Sequence, residues 1–188
     1  MEYPPLYLIL DLETPGLDPK LGILEVAYAV VEDLDKADEA PIHSHLIWTD
    51  VAAAVQSADS IVKGMHTESG LWDALSDVNE EKIHLSDAED NIFREVQRVG
   101  QGSFDRPVYL LGNSIALDRA FIAHWWHLLD ARLHYRMLDL TSVNLLIQGI
   151  GGPNTKVPTD PKHRAADDVR DTIAQLGNQI YEIANRVL

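Results

Sequence analysis

Two carboxylates close a short apolar run near the start of the chain. The run, residues 8–13, reads Leu-Ile-Leu-Asp-Leu-Glu and predicts a buried strand that ends at Asp11 and Glu13. Because residues i and i+2 of a strand project to the same face, both side chains can address one divalent cation. Acidic residues also follow strands simply because the chain enters a polar loop, and residues 14–16, Thr-Pro-Gly, form such a loop. The pair therefore indicates a metal site only if the chain offers further ligands.

A later segment supplies a third carboxylate. Asp118 follows the apolar run 107–111 across the tripeptide Gly-Asn-Ser. Asn113 or Ser114 can cap a helix that carries Asp118 in its second turn. This arrangement places Asp118 just beyond the end of a second predicted strand.

The C-terminal part adds a histidine and a fourth carboxylate. His163 and Asp168 stand at the start of a predicted helix, five residues and thus about 140° apart on an ideal helix. Both reach one site only if His163 lies just before the helix or in its first turn. Pro158 and Pro161 predict an extended approach that fits this position.

Each of these side chains also has an ordinary structural explanation. Asp118 could pair with Arg119 or Arg132, His163 could be a solvated residue at a helix start, and the acids around Asp168 could complement the helix dipole. The ordered set Asp-x-Glu, Asp, His-x4-Asp, with each member at the edge of a predicted element, favours one shared site.

The chain resembles a known family, the DEDDh 3′-to-5′ exonucleases, and within it the oligoribonucleases. The acidic and histidine pattern is typical of the whole superfamily, which includes proofreading domains. Three segments look like oligoribonuclease in particular: His-Thr-x-Ser-Gly-Leu at 66–71, Gly-Asn-Ser-Ile at 112–115 and His-Tyr-Arg at 134–136. The likeness covers most of the chain through residues 11–19, 66–71, 112–121, 134–139 and 163–170.

The chemistry of phosphodiester cleavage explains these residue types. Two divalent ions about 3.5–4 Å apart can bind the attacking and departing oxygens and neutralise developing charge. Asp11, Glu13, Asp118 and Asp168 offer the oxygen ligands that Mg²⁺ or Mn²⁺ prefers, and the chain has no cysteine. His163 would accept the proton of the attacking water, a role suited to a group that titrates near neutrality. The resemblance implies release of 5′-mononucleotides, one at a time, from the 3′ end.

The charge of the chain indicates short substrates. It carries 30 acidic and 15 basic residues, a formal net charge of −15, which argues against a surface built to hold long duplexes. Residues 1–93 hold 20 acids and 4 bases, whereas residues 94–188 hold 10 acids and 11 bases. We therefore expect any phosphate-facing surface to come from the second half and to grip short single-stranded RNA at a few points.

The resemblance also implies substrate contacts. Leu17 would wedge between bases and His66 would stack on or beside one, although Leu17 could equally be a loop residue that covers the core. Ser114 would donate to a phosphate near a helix N-terminus, or it could merely cap that helix. Tyr135 and Arg136 would reach the neighbouring subunit's site, which implies a homodimer. The alternative for this pair is a core tyrosine and a surface arginine.

The chain departs from the family pattern at three places. Thr14-Pro15 replaces the usual Met-Thr, and Pro15 removes a backbone N–H that could touch substrate. Ile61 stands where a tryptophan is expected five residues before His66, which removes an aromatic stacking surface. Segment 141–149 lacks the basic residues common there. These departures leave the predicted catalytic set intact and bear on substrate length.

The elements predict one domain that spans residues 1–188 without repeats. Apolar runs predict strands at 6–12, 23–32 and 44–49, with shorter ones at 108–111 and 137–140. Helices are predicted at 86–100, 114–132 and 163–187, with a shorter one after Thr141. This order predicts an α/β fold in which helices flank a mixed sheet, the ribonuclease H-like arrangement that the resemblance also implies.

Targeting signals are weak. The N-terminal apolar run, residues 6–10, is too short for a signal peptide or a membrane span because charges follow it at once. The absence of cysteine is compatible with a reducing cytoplasm. We therefore expect a cytoplasmic location and no membrane-spanning segment.

The sequence predicts a metal-dependent 3′-to-5′ exoribonuclease that degrades short single-stranded RNA. One alternative is a DnaQ-like exonuclease of the same superfamily that trims longer single-stranded DNA or RNA ends. Another, of a different class, is a non-enzymatic acidic protein that mimics nucleic acid. Mimicry gives no reason for His163 to stand five residues before Asp168.

Overall fold

A mixed six-stranded sheet forms the centre of the computed structural model, which describes residues 4–157 and 163–187. The strands are β1 (Leu6–Glu13), β2 (Glu25–Val31), β3 (His43–Ile47), β4 (Lys82–Ile83), β5 (Val108–Gly112) and β6 (Leu133–Asp139). Their spatial order is β4-β3-β2-β1-β5-β6. β1 runs antiparallel to β2 and parallel to β5, so β1 and β5 end at the same edge of the sheet.

Eight α-helices accompany the sheet in the described residues. They are α1 (Val51–Ser57), α2 (Ser60–Glu68), α3 (Leu71–Ser76), α4 (Leu85–Val99), α5 (Ala116–Trp125), α6 (His127–Arg132), α7 (Leu140–Gly149) and α8 (Ala165–Val187). Two short 3₁₀ helices, Pro19–Leu21 and Leu34–Glu39, lie in the connections after β1 and β2. The prediction of an α/β fold with a helix-flanked mixed sheet is confirmed.

The alternation of side chains along β1 divides them between two hydrophobic cores. Leu8 packs into the core formed with α4, α5 and α6. Ile9 faces the opposite side and packs with Val169 of α8. Since alternate residues of a strand share a face, Asp11 and Glu13 point to the same side as Ile9, toward α8. The same alternation that buries the strand therefore directs both carboxylates at the C-terminal helix.

The prediction that Asn113 or Ser114 caps a helix is wrong. α5 begins at Ala116, and its N-cap, Ile115, makes no side-chain cap hydrogen bond. Asp118 therefore lies in the first turn of the helix, not in the second. The residues before α5 form a tight turn instead, because Ser114 adopts a left-handed backbone conformation.

The helix predicted at 114–132 is two helices. Trp126 separates them with a non-helical backbone, φ −121° and ψ 73°. Its indole is fully buried, and its Nε1–H donates to the carbonyl of Leu85 at 2.9 Å. Burial of this large ring with its one donor satisfied overrides local helix propensity, which is why the sequence pattern did not reveal the break.

The bounds of other elements also differ from the predictions. Residues 51–76, for which the sequence made no prediction, form three short helices around the buried side chains of Leu71 and Trp72. β6 is longer than the apolar run at 137–140 indicated, because it begins at Leu133 on the sheet edge.

Pro158 and Pro161, with their predicted extended approach, lie outside the described residues. In the described part of the chain, every helix is too short or too polar to span a membrane.

Candidate active site

Three of the four predicted metal ligands meet at the end of β1. One carboxylate oxygen from each of Asp11, Glu13 and Asp168 lies within 4.8 Å of the other two. Asp11 and Glu13 reach this point from β1, and Asp168 reaches it from the first turn of α8. Residues far apart in the sequence thus form one cluster of carboxylates.

Asp118 lies against the same strand end. Its Oδ1 accepts a hydrogen bond from the backbone N–H of Leu12 at 3.1 Å, between the two carboxylates of β1. The alternative pairing of Asp118 with a neighbouring arginine is not formed. Arg119 binds Asp130 at 2.8 Å, and Arg132 donates to a backbone carbonyl. Asp118 is therefore buried beside Asp11, and neither Arg119 nor Arg132 pairs with it.

Burial raises the pKa values of all four carboxyl groups, and repulsion within the cluster adds to this rise at Asp11 and Glu13. The pKa of Asp11 is raised well above its usual value, first by burial and then by Asp118, Glu13 and Asp168. Burial, with added repulsion from Asp168, raises the pKa of Glu13 to about 8. Burial raises the pKa of Asp118 to about 7 and also raises that of Asp168. The ionised cluster is unfavourable until a counter-charge reaches it.

A divalent cation is the counter-charge that this donor set fits. The cluster offers only carboxylate oxygens, the ligands that hard cations such as Mg²⁺ and Mn²⁺ prefer. The oxygens lie close enough together for one ion to touch several of them. The residues present therefore suit a divalent ion. Their raised pKa values reflect the free-energy cost of keeping the carboxylates ionised and close together without one.

His163 borders a cleft beside the cluster. The cleft has a volume of about 700 Å³, and its walls include Asp11, Asp168 and His163 together with Ser114. His163 stands two residues before α8 begins, the position that the sequence required for it to share a site with Asp168. The imidazole and two of the carboxylates thus face one space, large enough for part of an oligonucleotide.

Two strained residues line this cleft. Outside glycine, the described chain has a positive φ at Gln101, at Ser114 (50°) and at His163 (43°), and the last two border the cleft. Such conformations cost about 1–3 kcal/mol and persist where surrounding contacts impose them. At Ser114 the contacts are visible, since its N–H donates to Asp139 Oδ1 and to Thr141 Oγ1, each at 3.1 Å.

His66 lies under the end of β1 and not on the surface. It is 1% exposed, and its Nε2–H donates to the carbonyl of Thr14 at 2.9 Å. Its Nδ1 lies 3.7 Å from Glu13 Oε2, and its ring meets the Trp72 ring edge-on. Burial lowers its pKa. In this position His66 supports the turn after β1, so a direct stack on a base stays a prediction that the described conformation does not favour.

The remaining predicted substrate contacts are exposed. Leu17, in the loop after β1, is 76% exposed, as a residue that wedges between bases must be. Tyr135 is 74% exposed on the edge strand β6, where it stacks on His134 and lies 5.2 Å from the Arg136 guanidinium. Neither Tyr135 nor Arg136 lines the cleft of their own chain. The alternative of a core tyrosine is therefore wrong.

Sequence reasoning missed several residues of the site. Glu25 is almost fully buried and binds Arg164, the residue that follows His163. The available signal was an acid near the start of the apolar run 23–32. Lys156 also lines the cleft. The preceding residue, Thr155, is tied to α7, because its N–H and its Oγ1 both donate to Asn144 Oδ1 at 2.8 Å. The isolated position of Lys156 in a polar segment carried no signal.

Sequence comparison finds close relatives along nearly the whole chain. The oligoribonuclease of Francisella tularensis subsp. tularensis is 33% identical over 178 residues, which cover 89% of this chain and 89% of that protein. The oligoribonuclease of Corynebacterium glutamicum is 32% identical over 174 residues, which cover 88% of this chain and 74% of that protein. No protein-family model matches the chain.

Structural comparison finds the same fold in larger proteins. Exonuclease I from Methylocaldum szegediense superposes with a TM-score of 0.62 at 15% identity, covering 97% of this chain and 43% of that one. E. coli exonuclease I, in a complex with an oligonucleotide, superposes with a TM-score of 0.62 at 13% identity and 93% coverage of this chain. The present chain spans about 40% of that second structure's length. At these identities the likeness establishes the fold.

The raised pKa values predict how stability changes with pH without divalent ions. Between its ordinary pKa of 4.5 and its folded value of about 8, Glu13 keeps a proton in the folded state that the unfolded chain has released. The same holds for Asp118 between 3.8 and about 7. Stability should therefore fall as pH rises through this window and level off above it. Thermal unfolding in the presence of a chelator, at a series of pH values, measures this slope.

A variant and an added ion isolate the contribution of the cluster. Asp118→Asn keeps an oxygen for the Leu12 N–H, and its slope should be shallower than that of the wild type. Mn²⁺ should stabilise the wild type most at the alkaline end, where the carboxylates are ionised, and should stabilise the variant less. Equal slopes in the two proteins, or equal stabilisation by Mn²⁺, would contradict the assignment.

Proposed function

The chain belongs to the oligoribonuclease family, and from that premise we propose that it is a 3′-to-5′ exoribonuclease that degrades short single-stranded RNA to 5′-mononucleotides. The observation that carries the proposal is the convergence of Asp11, Glu13 and Asp168, with Asp118 beside them, at a cleft that His163 also borders. A carboxylate cluster next to an imidazole is an arrangement that supports metal-assisted hydrolysis of a phosphodiester.

The four carboxylates would hold two divalent ions, Mg²⁺ or Mn²⁺. Bound there, the ions would neutralise negative charge on the reacting phosphate and on the attacking and departing oxygens. The protein's own contribution is to fix the ligands from three elements, β1, α5 and α8, around one point. Burial of these oxygens in the folded state supports the proposal, because a preformed site needs little reorganisation when an ion enters.

His163 would act as the general base. It borders the same cleft as Asp11 and Asp168, so an attacking water near the cluster would lie within reach of the imidazole. A neutral imidazole accepts the proton of that water, and the carboxylate of Asp168 stabilises the resulting positive charge. The short connection to α8 supports this role, because it ties His163 and Asp168 to one rigid element.

The charges around the cleft favour short substrates. Among the described residues that line the cleft, Lys156 carries the only lysine or arginine side chain. With a net charge of −15, the protein offers a long polymer few phosphate contacts. Leu17 would separate bases at the exposed loop after β1, and Ser114 would meet a phosphate at the cleft wall. A mimic of nucleic acid would display its carboxylates on the surface, whereas Glu13 and Asp118 are buried and Asp11 and Asp168 are half-buried.

Hydrolysis of oligonucleotides of graded length tests the proposal. RNA from dinucleotides upward should be degraded fully to mononucleotides, fastest for the shortest chains and faster than matched DNA. Asp11→Asn should lower the rate by more than about 100-fold, because it removes a charged ligand. Asp38→Asn, an exposed acid outside the cleft, should leave the rate unchanged. Chromatography of the labelled products after fixed times gives each rate.

The products distinguish the alternatives. Accumulation of dinucleotides would contradict a preference for the shortest RNA. Faster cleavage of long single-stranded DNA would favour the DnaQ-like alternative, and no hydrolysis with either ion would favour the nucleic-acid mimic.

We also propose a homodimer in which Tyr135 and Arg136 complete the partner's cleft. β6 is at the edge of the sheet, and neither side chain lines the cleft of its own chain. On α7, the helix that follows β6 in the chain, Leu145 and Leu146 are also exposed and offer apolar surface that a second copy could bury. Closed two-fold pairing would bring each edge strand to the other subunit.

Mixed dimers test whether these residues act across the interface. Asp11→Ala and Arg136→Ala subunits should each be poorly active alone. After unfolding and refolding together, half of the dimers would be mixed, each with one complete site, so activity should recover to about a quarter of wild type. If mass measurement verifies the mixed dimers but their activity does not recover, then Arg136 acts within its own chain or not at all.

A further inference from the structure

Glu25 is a buried acid beside the carboxylate cluster, and the proposed reaction assigns it no part. It begins β2, pairs across the sheet with Glu13, and is only 2% exposed. The other residues of β2 are apolar or aromatic. A buried carboxylate next to another carboxylate is costly, so a partner must hold its charge.

Arg164 and the start of α8 supply that partner. The two oxygens of Glu25 accept from Arg164 Nε at 3.0 Å and from Arg164 Nη2 at 2.8 Å, a two-pronged ion pair. One of these oxygens also accepts the backbone N–H of Ala165 at 3.1 Å. A single carboxylate thus fixes the two residues that follow His163, one through its side chain and one through its backbone.

This contact accounts for the strained backbone of His163. A histidine with φ of 43° is held against its own preference, which requires firm contacts on the neighbouring residues. Glu25 and Arg164 provide such contacts immediately after it. Helix α8 then continues to Asp168, so the same anchor sets the position of the imidazole relative to the carboxylate cluster.

We infer that the Glu25–Arg164 pair is a positioning device for the reaction, which holds the His163 imidazole at the cleft without touching substrate. The inference rests on the proposed function, in which His163 is the base. A role limited to fold stability would be a weak reason to bury the Glu25 carboxylate against the partly exposed Arg164, since replacing a buried ion pair with apolar residues is often neutral or stabilising. Control of the position of His163, the residue before Arg164, does require a fixed two-pronged contact.

Steady-state kinetics with saturating Mn²⁺ and a short RNA tests the inference. Glu25→Gln preserves size but loses the charged pairing, so kcat should fall about 10- to 100-fold, while KM for the RNA changes less than about threefold. Arg164→Lys keeps the charge but loses the two-pronged geometry and should give the same split. If one variant does not fold, the other carries the test.

A matched control separates positioning from stability. Glu95 is a buried acid that binds Arg98 through two hydrogen bonds of 2.8 and 2.6 Å on α4, and it does not line the cleft. Glu95→Gln should lower the thermal midpoint by an amount similar to Glu25→Gln and leave kcat unchanged. Equal kcat values in the two variants would overturn the inference.

Combination with His163→Ala tests the proposed route of action. If Glu25 works through His163, then Glu25→Gln added to His163→Ala should cause no further loss of kcat. A loss in the double variant equal to the product of the two single losses would overturn the inference. Failure of the proposed function is a separate result, because the wild type itself would then hydrolyse no RNA.

Discussion

Repulsion among carboxylates crowded at the buried end of the central strand is the constraint on which the rest of the structure depends. Asp11 and Glu13 point to one face of β1, and Asp118 and Asp168 approach from helices on either side. Nothing in a hydrophobic core favours such a cluster. The fold must therefore offset its cost elsewhere, and it does so by burying β1 between two apolar cores that leave only the strand end polar.

The surroundings of the cluster hold unfavourable conformations in place. Asp139 caps the N-terminus of α7 and accepts the N–H of the strained Ser114, while Glu25 fixes the residues after the strained His163. His66 braces the turn after β1 from below. Each of these contacts joins elements distant in sequence and fixes the walls of the cleft where the proposed chemistry takes place. The proposed base contacts and dimer contacts lie on exposed loops and on the edge strand, where variation is less costly.

Local patterns in the sequence were sufficient for five of the six strands, all but the two-residue β4, and for the acidic cluster at the end of β1. Alternation along residues 8–13 is enough to place Asp11 and Glu13 on one face. The spacing of His163 and Asp168 lets both share a site only if the histidine lies just before the helix or in its first turn. Tertiary contacts decided the rest. Burial of Trp126 divides a helix that periodicity had joined, and the left-handed turn at Ser114 depends on partners far along the chain. No local pattern could reveal these effects.

The measurement that tests the account most directly is anomalous diffraction from a crystal of the protein soaked in Mn²⁺ with a dinucleotide. The account predicts two manganese peaks about 3.5–4 Å apart, both within coordination distance of the carboxylates of Asp11, Glu13, Asp118 and Asp168, with the nucleotide phosphate beside them. Strong manganese peaks elsewhere on the acidic surface, and none among these four side chains, would contradict it.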